Sequence, residues 1–346
     1  MTHLPLLLIT LTLCSAPASR QWRAASHQLP FASSQLPVPS SQMPVTPVWI
    51  DTDPAIGEPE RDVDDGVAMI QAFHSPELAI RGISVVFGNA SLERGLPIAQ
   101  DLTRRFGPKD VPVWSGARSA ADLGRETDAS RALAEALGRE RLTVLVLGPA
   151  TNVATVLKNH PGLASRIIRI VAIAGRRPNQ RFTTGTVNTK GHRDFNFELD
   201  PEAFAVLLRS RVPLVLHPFE ISSKLWIRGA DLDRLAAGPP AAQAIAVPAR
   251  AWLELWRQLF SVDGFNPFDT LAIGYAISPA GFACEDLPIA IEVRPDDVTE
   301  PGMQGNAPAK KPFLMVSAAL KASATARYCS TAPDGFKADL FQRLLR

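Results

Sequence analysis

An unbroken apolar run, Val48-Trp49-Ile50, stops at two acids, Asp51 and Asp53, and a second acidic pair, Asp64-Asp65, precedes the next apolar run. A short run of β-branched and aromatic residues suits a strand buried on both faces. Open sheets of such strands take their ligands beyond the C-terminal strand ends, where these acids fall. Several carboxylates converging on one spot repel each other unless a cation sits among them. Oxygen-only ligation favours a hard ion such as Ca2+ or Mg2+. The plainer alternative for residues 48–70 is a solvated acidic loop.

The same pattern recurs along the chain. Strands are expected at 48–52, 80–86, 111–114, 142–147, 167–174 and 213–217. Helices are expected near 64–75, 91–106, 130–138, 153–159, 201–209, 241–260 and 270–277. The tail adds strands near 287–293 and 312–318 and a helix near 335–345. Strands alternating with helices imply an α/β fold: a mostly parallel, Rossmann-like open sheet with helices on both faces. With no internal repeat and no linker after residue 47, residues 48–346 read as a single domain.

A formal net charge of +2 with no basic block argues against a nucleic-acid surface. Neither GxGxxG nor GxxxxGK[ST] is present, so Gly88 and Gly148 read as turn residues rather than phosphate cradles. Cys14, Cys284 and Cys329 are too far apart for a CxxC pair, and they read as small packed apolar residues rather than a disulfide.

The N-terminal 47 residues carry no chemistry and allow two readings. Leu4 to Leu13, followed by Cys-Ser-Ala-Pro-Ala-Ser, has the form of a secretory signal within residues 1–18, too short to span a membrane. Its Met-Thr-His start lacks the usual basic residue, and residues 19–46 have the Ser, Pro, Gln and Ala content of a disordered linker. That reading gives an exported, periplasmic protein. The other starts translation at Met43 and gives a cytoplasmic one.

Five motifs stand in order: Asp51-Thr-Asp53-Pro with Asp64-Asp65; Val86-Phe-Gly-Asn89; Leu147-Gly-Pro-Ala-Thr151-Asn152; Asn188 with Asp194-Phe-Asn196 and Asp200-Pro-Glu-Ala203; and Phe268-Asp269. From about residue 48 to the C-terminus the chain resembles the nucleoside hydrolases of the inosine–uridine-preferring type. The resemblance implies hydrolysis of a ribonucleoside to ribose and free base, and commonly a homodimer or homotetramer. It implies a Ca2+ held by Asp53, Asp65, Asp269 and the Thr151 carbonyl; Mg2+ fits the site less well. With one water and two ribose hydroxyls this makes about seven oxygens, within the 6–8 usual for Ca2+. Asp53 matches the general base. Asp64, Asn89, Asn188, Asp194 and Asn196 match the groups that bind the sugar, and Asp51 sits behind them.

Three departures matter. The Gly expected after Asp-Pro is Ala55, and about seven added residues, Ile56–Asp62, precede Asp64, so Asp62 competes with Asp64 and Asp65 for register. The Glu expected before Phe-Asn is Asp194, one methylene shorter. A His that relatives carry before the last metal-ligating Asp is Phe268, which has no proton to give. His192 is a candidate donor against the reading of an exposed loop histidine. Phe268, Phe265, Trp252 and Trp256 are candidates for stacking on the base, against the reading of a core face that helical spacing always permits. Two rivals stay open: a relative that binds ribose or nucleoside without turnover, and a Mg2+-dependent phosphatase of the haloacid dehalogenase type.

Overall fold

A computed structural model describes residues 45–185, 191–297 and 310–346. Both readings of the N-terminus, and Asn188, lie outside the described residues.

β1 (Thr46–Thr52) is the central strand, and its side chains alternate between two cores. Val48 and Ile50 face one and Trp49 the other, so the run is apolar throughout because both faces are covered. α1 (Asp64–Phe73), β2 (Leu78–Val85), α2 (Leu92–Phe106), β3 (Val113–Ser115), α3 (Asp128–Arg139), β4 (Leu142–Val146), α4 (Thr151–Asn159) and β5 (Ile167–Ala172) follow. Each matches its expected element within a few residues. α5 (Phe195–Leu199), α6 (Pro201–Ser210), β6 (Leu214–Leu216), α7 (Phe219–Ser222), α8 (Gly229–Ala236), α9 (Pro240–Phe260) and α10 (Thr270–Ile277) lead to the tail. α5 and α7 are too short for their periodicity to stand out in sequence, and α8 has no counterpart among the expected helices.

The sheet has nine strands in the order β3-β2-β1-β4-β5-β6-β9-β7-β8, where β7 is Ala283–Pro295, β8 Lys310–Val316 and β9 Ala324–Thr331. From β3 through β9 every neighbouring pair is parallel, and β7 pairs antiparallel with both β8 and β9. α11 (Phe336–Leu344) packs against α1. One apolar core holds Val67, Ile245, Leu271 and Phe341 from α1, α9, α10 and α11. The opposite core holds Leu133, Val153 and Phe204 from α3, α4 and α6. The parallel open sheet with helices on both faces is as the sequence implied.

Two corrections concern the tail. β9 has no counterpart among the expected strands: its Thr325 and Arg327 face outward, and only Ala326, Tyr328 and Cys329 are buried. Cys284 and Cys329 are directly opposed on β7 and β9 and form a disulfide, not two separately packed thiols. The missed strand hid the pairing, since the opposition exists only in its register.

Candidate active site

The order of the strands reverses between β1 and β4, and there the two C-terminal ends open a crevice. Register brings Asp51 level with Val146 and Thr52 level with Val85, so the loops after β1, β2 and β4 all begin at one height.

Asp51 is fully buried behind this point. It accepts hydrogen bonds from the Ser84 hydroxyl and, at 2.8 Å, from Asn152 Nδ2. Asn152 in turn accepts from the Ala117 N–H at 2.8 Å. Burial still pushes the Asp51 carboxyl up to about 7. The group ties β1 to β2 and α4.

Asp53 leaves the strand end. Its Oδ2 accepts from the Asn89 N–H at 2.6 Å, and its own N–H donates to Asp65 Oδ1 at 3.1 Å. Its Oδ1 is buried and has no protein partner. Gly88 and Gly148 do more than turn the chain: a Cβ on Gly88 would fall 1.9 Å from Asp53 Oδ2, and one on Gly148 2.8 Å from Oδ1. The carboxylate is seated between two strand ends that only glycine can bring so close.

The inserted loop ends at Asp62, whose Oδ1 accepts from the N–H groups of Val63 at 2.7 Å and Asp64 at 3.2 Å. Asp62 thus stands just outside α1, meets the Asp64 N–H that the first helical turn leaves free, and also lines the cleft above the acids. Asp64 and Asp65 sit inside that turn and point inward. Asp65 also accepts from the Thr52 hydroxyl and from Asn89 Nδ2 at 3.3 Å. Asp269, immediately before α10, completes the group. Carboxylate oxygens of Asp64, Asp65 and Asp269 all lie within 4.8 Å of one another, and all three residues are buried. Asp53 is not in that mutual trio; it is joined to it through Asp65.

Burial, then the charges of the neighbouring acids, holds Asp53, Asp64 and Asp269 well above the usual carboxylate range. Burial raises Asp65 as well. Oxygen donors this close cannot all ionise in a protein interior without a counter-charge. That repulsion, the unpartnered Asp53 Oδ1 and the all-oxygen donor set fit a hard divalent cation. Thr151 opens α4, its hydroxyl donating to Asp200 Oδ2 at 2.5 Å, while Asp200 Oδ1 caps α6 through the Ala203 N–H.

Above the acids a cleft of about 460 Å³ opens, lined in part by Asp64, Asn89, Asp194, Asn196 and Asp269. Asn196 Nδ2 donates to the carbonyls of Leu147 at 2.6 Å and Ile173 at 3.2 Å, clipping α5 to the ends of β4 and β5. Asp194 accepts from the Gly175 N–H at 2.8 Å; burial pushes it up to about 7, with the nearby Arg176 charge opposing.

The rest of the lining is aromatic. Trp252, Trp256 and Phe268 line the cleft as the stacking reading expected, with Phe182, Phe219 and Phe260, which sequence had not assigned. Trp256 serves core and cleft together, being nearly buried yet exposing an edge. Phe265 does not line it and is fully buried. His192 is half-buried in the cleft wall, not an exposed loop residue. The glycine seat of Asp53, the Asp200 support of Thr151 and the added aromatics left no sequence signal beyond a helix-capping Asp-Pro at 200–201.

The family model for inosine-uridine preferring nucleoside hydrolases matches residues 48–312. The chain belongs to that family. It is a hydrolase acting on the N-glycosyl bonds of ribonucleosides, and the phosphatase rival falls away. The pyrimidine-specific ribonucleoside hydrolase RihA of Enterobacter sp. (strain 638) is 26% identical over 277 residues, 72% of this chain and 84% of that protein. Its namesake from Escherichia coli O1:K1 / APEC is also 26% identical, over 72% of this chain and 85% of that protein. Among solved structures, a plant nucleoside hydrolase, PpNRh1, superposes with a TM-score of 0.71 at 20% identity, covering 87% of this chain and 99% of that one. A purine-preferring ribonucleoside hydrolase from Gardnerella vaginalis gives 0.68 at 19% identity, covering 86% and 98%. At such identities the structures speak for the fold. Among the described residues no helix is long and apolar enough to cross a membrane.

Proposed function

We propose that this nucleoside hydrolase family member cleaves ribonucleosides with a Ca2+ held by Asp53, Asp65, Asp269 and the Thr151 carbonyl, and with Asp53 as general base. The observation that carries this reading is the buried group of Asp64, Asp65 and Asp269 at the base of an aromatic-walled cleft. Bound there, Ca2+ would supply a Lewis acid that favours binding of the ribose hydroxyls and makes a water easier to deprotonate.

The chain's own residues do the rest. Asp64, whose carboxylate lies within 4.8 Å of those of Asp65 and Asp269, would bind the ribose hydroxyls. Asn89, Asp194 and Asn196, with Asn188 from the undescribed segment, read the remaining hydroxyls, since amide and carboxylate groups fix hydrogen-bond direction. Asp53, seated against Gly88 and Gly148, takes the proton of the attacking water as C1′ becomes cationic. Trp252, Trp256 and Phe268 stack on the base and keep water from it. The family resemblance extends the proposal to a homodimer or homotetramer.

The test is a nucleoside panel (inosine, adenosine, guanosine, uridine, cytidine) with Ca2+ or with chelator, reading released ribose. Ribose release that disappears with chelator and in Asp53→Ala supports the reading. Ribose or an iminoribitol binding tightly without any turnover would instead favour a non-catalytic binding protein.

A further inference from the structure

Breaking the C1′–N bond leaves both bonding electrons on the base. A purine or pyrimidine anion departs poorly, so a proton must reach it as the bond stretches. Phe268 stands at the cleft beside Asp269 and has none to give.

The aromatic wall holds an imidazole. His192 stacks nearly parallel to Trp256, with centroids 6.3 Å apart and planes at 17°. Phe260 meets it edge-on at 4.8 Å, and Phe219 lies tilted at 5.6 Å. Its Nε2 lies 2.9 Å from the hydroxyl of buried Thr184, and its backbone N–H donates to the Phe182 carbonyl at 2.6 Å. The backbone contact to Phe182 fixes the loop, and the Thr184 contact fixes the ring. Among the described residues lining the cleft, His192 is the one histidine, the side chain whose ordinary pKa falls near neutrality.

We propose that His192, oriented by Thr184, is the general acid that protonates the departing base. The proposal rests on the ribohydrolase reading above and adds the residue that reading lacks. As the C1′–N bond breaks, its electron pair goes to the base and the His192 imidazolium gives that base one proton. The water oxygen bonds to C1′, and its proton goes to the Asp53 carboxylate. Asp53 then releases a proton to solvent and His192 takes one up, so the sum is nucleoside plus water to ribose plus base. With Nε2 held by Thr184, the proton leaves from Nδ1, and the Thr184 hydroxyl accepts from Nε2–H in both states of the ring. Thr184 is a positioning residue, acting through His192.

The experiment compares two leaving groups in the Ca2+-loaded full chain. Uridine and inosine need a proton on the leaving base, whereas p-nitrophenyl riboside releases a stable anion. His192→Ala and His192→Gln should lose about 10²–10⁴-fold in kcat on the nucleosides and little on p-nitrophenyl riboside. The fall of nucleoside kcat/KM at alkaline pH should vanish with the imidazole. Thr184→Val should shift that alkaline limb, and Thr184→Ser should restore it. Equal losses on both substrate classes would assign His192 a structural role and overturn the proposal, as would unchanged nucleoside turnover. Wild-type protein inert on both classes with Ca2+ would sink the ribohydrolase reading itself, a distinct pattern.

Discussion

The backbone N–H of Asn89, just beyond β2, donates to Oδ2 of Asp53, just beyond β1, across 2.6 Å. One strand end thus aims the carboxylate of its neighbour. The bond is short because Gly88 and Gly148 present no side chains to the Asp53 carboxylate. It leaves Oδ1 as the oxygen without a protein partner.

Gly88→Ala should therefore strike catalysis as well as folding. Its methyl would need the space 1.9 Å from Asp53 Oδ2, so the carboxylate must move. A misplacement of that order costs about 10²-fold in rate. The check is kcat for ribose release alongside a thermal melt. A variant with full kcat would show that the aim of Asp53 is unimportant.

The acidic group should make stability depend on cation. A ligand that binds only the folded state at 100 times its Kd adds about 2.7 kcal/mol. Saturating Ca2+ should raise the Tm of the wild type, and chelator should reverse the rise. Asp269→Asn removes one charge of the trio, so its Tm should no longer respond to Ca2+ and ribose release should stop. Calorimetry with and without Ca2+ reads the first effect directly.

His217, at the end of β6, is fully buried between Tyr275 and Phe282, and neither ring nitrogen has a protein partner. Burial lowers its pKa from 6.5 to about 3. The unfolded chain then binds a proton between those values and the folded chain does not. Stability from this residue is present above pH 6.5 and is lost as pH falls toward 3, by about 1.4 kcal/mol per pH unit. His217→Phe should flatten the dependence of chemical denaturation on pH in that window. An unchanged slope would place the proton elsewhere.

The Cys284–Cys329 disulfide closes a loop with a sequence separation of 45. Cross-links of this kind stabilise by about 2–4 kcal/mol, mainly by restricting the unfolded chain. Cys284→Ala should lower the unfolding free energy by that amount and leave ribose release nearly intact, because the bridge joins β7 to β9 and neither cysteine lines the cleft. Urea denaturation of oxidised and reduced protein gives the same comparison without mutation.

Local pattern alone determined much of this protein. The unbroken runs of β1, β4 and β5 announce strands covered on both faces, because a two-sided interior removes the polar alternation of a half-exposed sheet. The order of five motifs identified the family, and the acids after β1 announced a cluster of carboxylates, because strand ends and their first loop residues are close in sequence. Other features needed the tertiary structure. Asp64 and Asp269 meet across 205 positions, as the difference 269 − 64 gives, only because α1 and α10 pack together. His192 became a cleft residue only when α9 brought Trp256 and Phe260 against it. The hydrogen bonds of Asp62 to the Val63 and Asp64 N–H groups became visible only in the folded loop, where Asp62 also lines the cleft. Cys284 found Cys329 only in the register of a strand whose outward Thr and Arg concealed it. Hydrophobic period and turn chemistry are written over a few residues. Register and helix packing depend on contacts between distant segments, and no local pattern carries them.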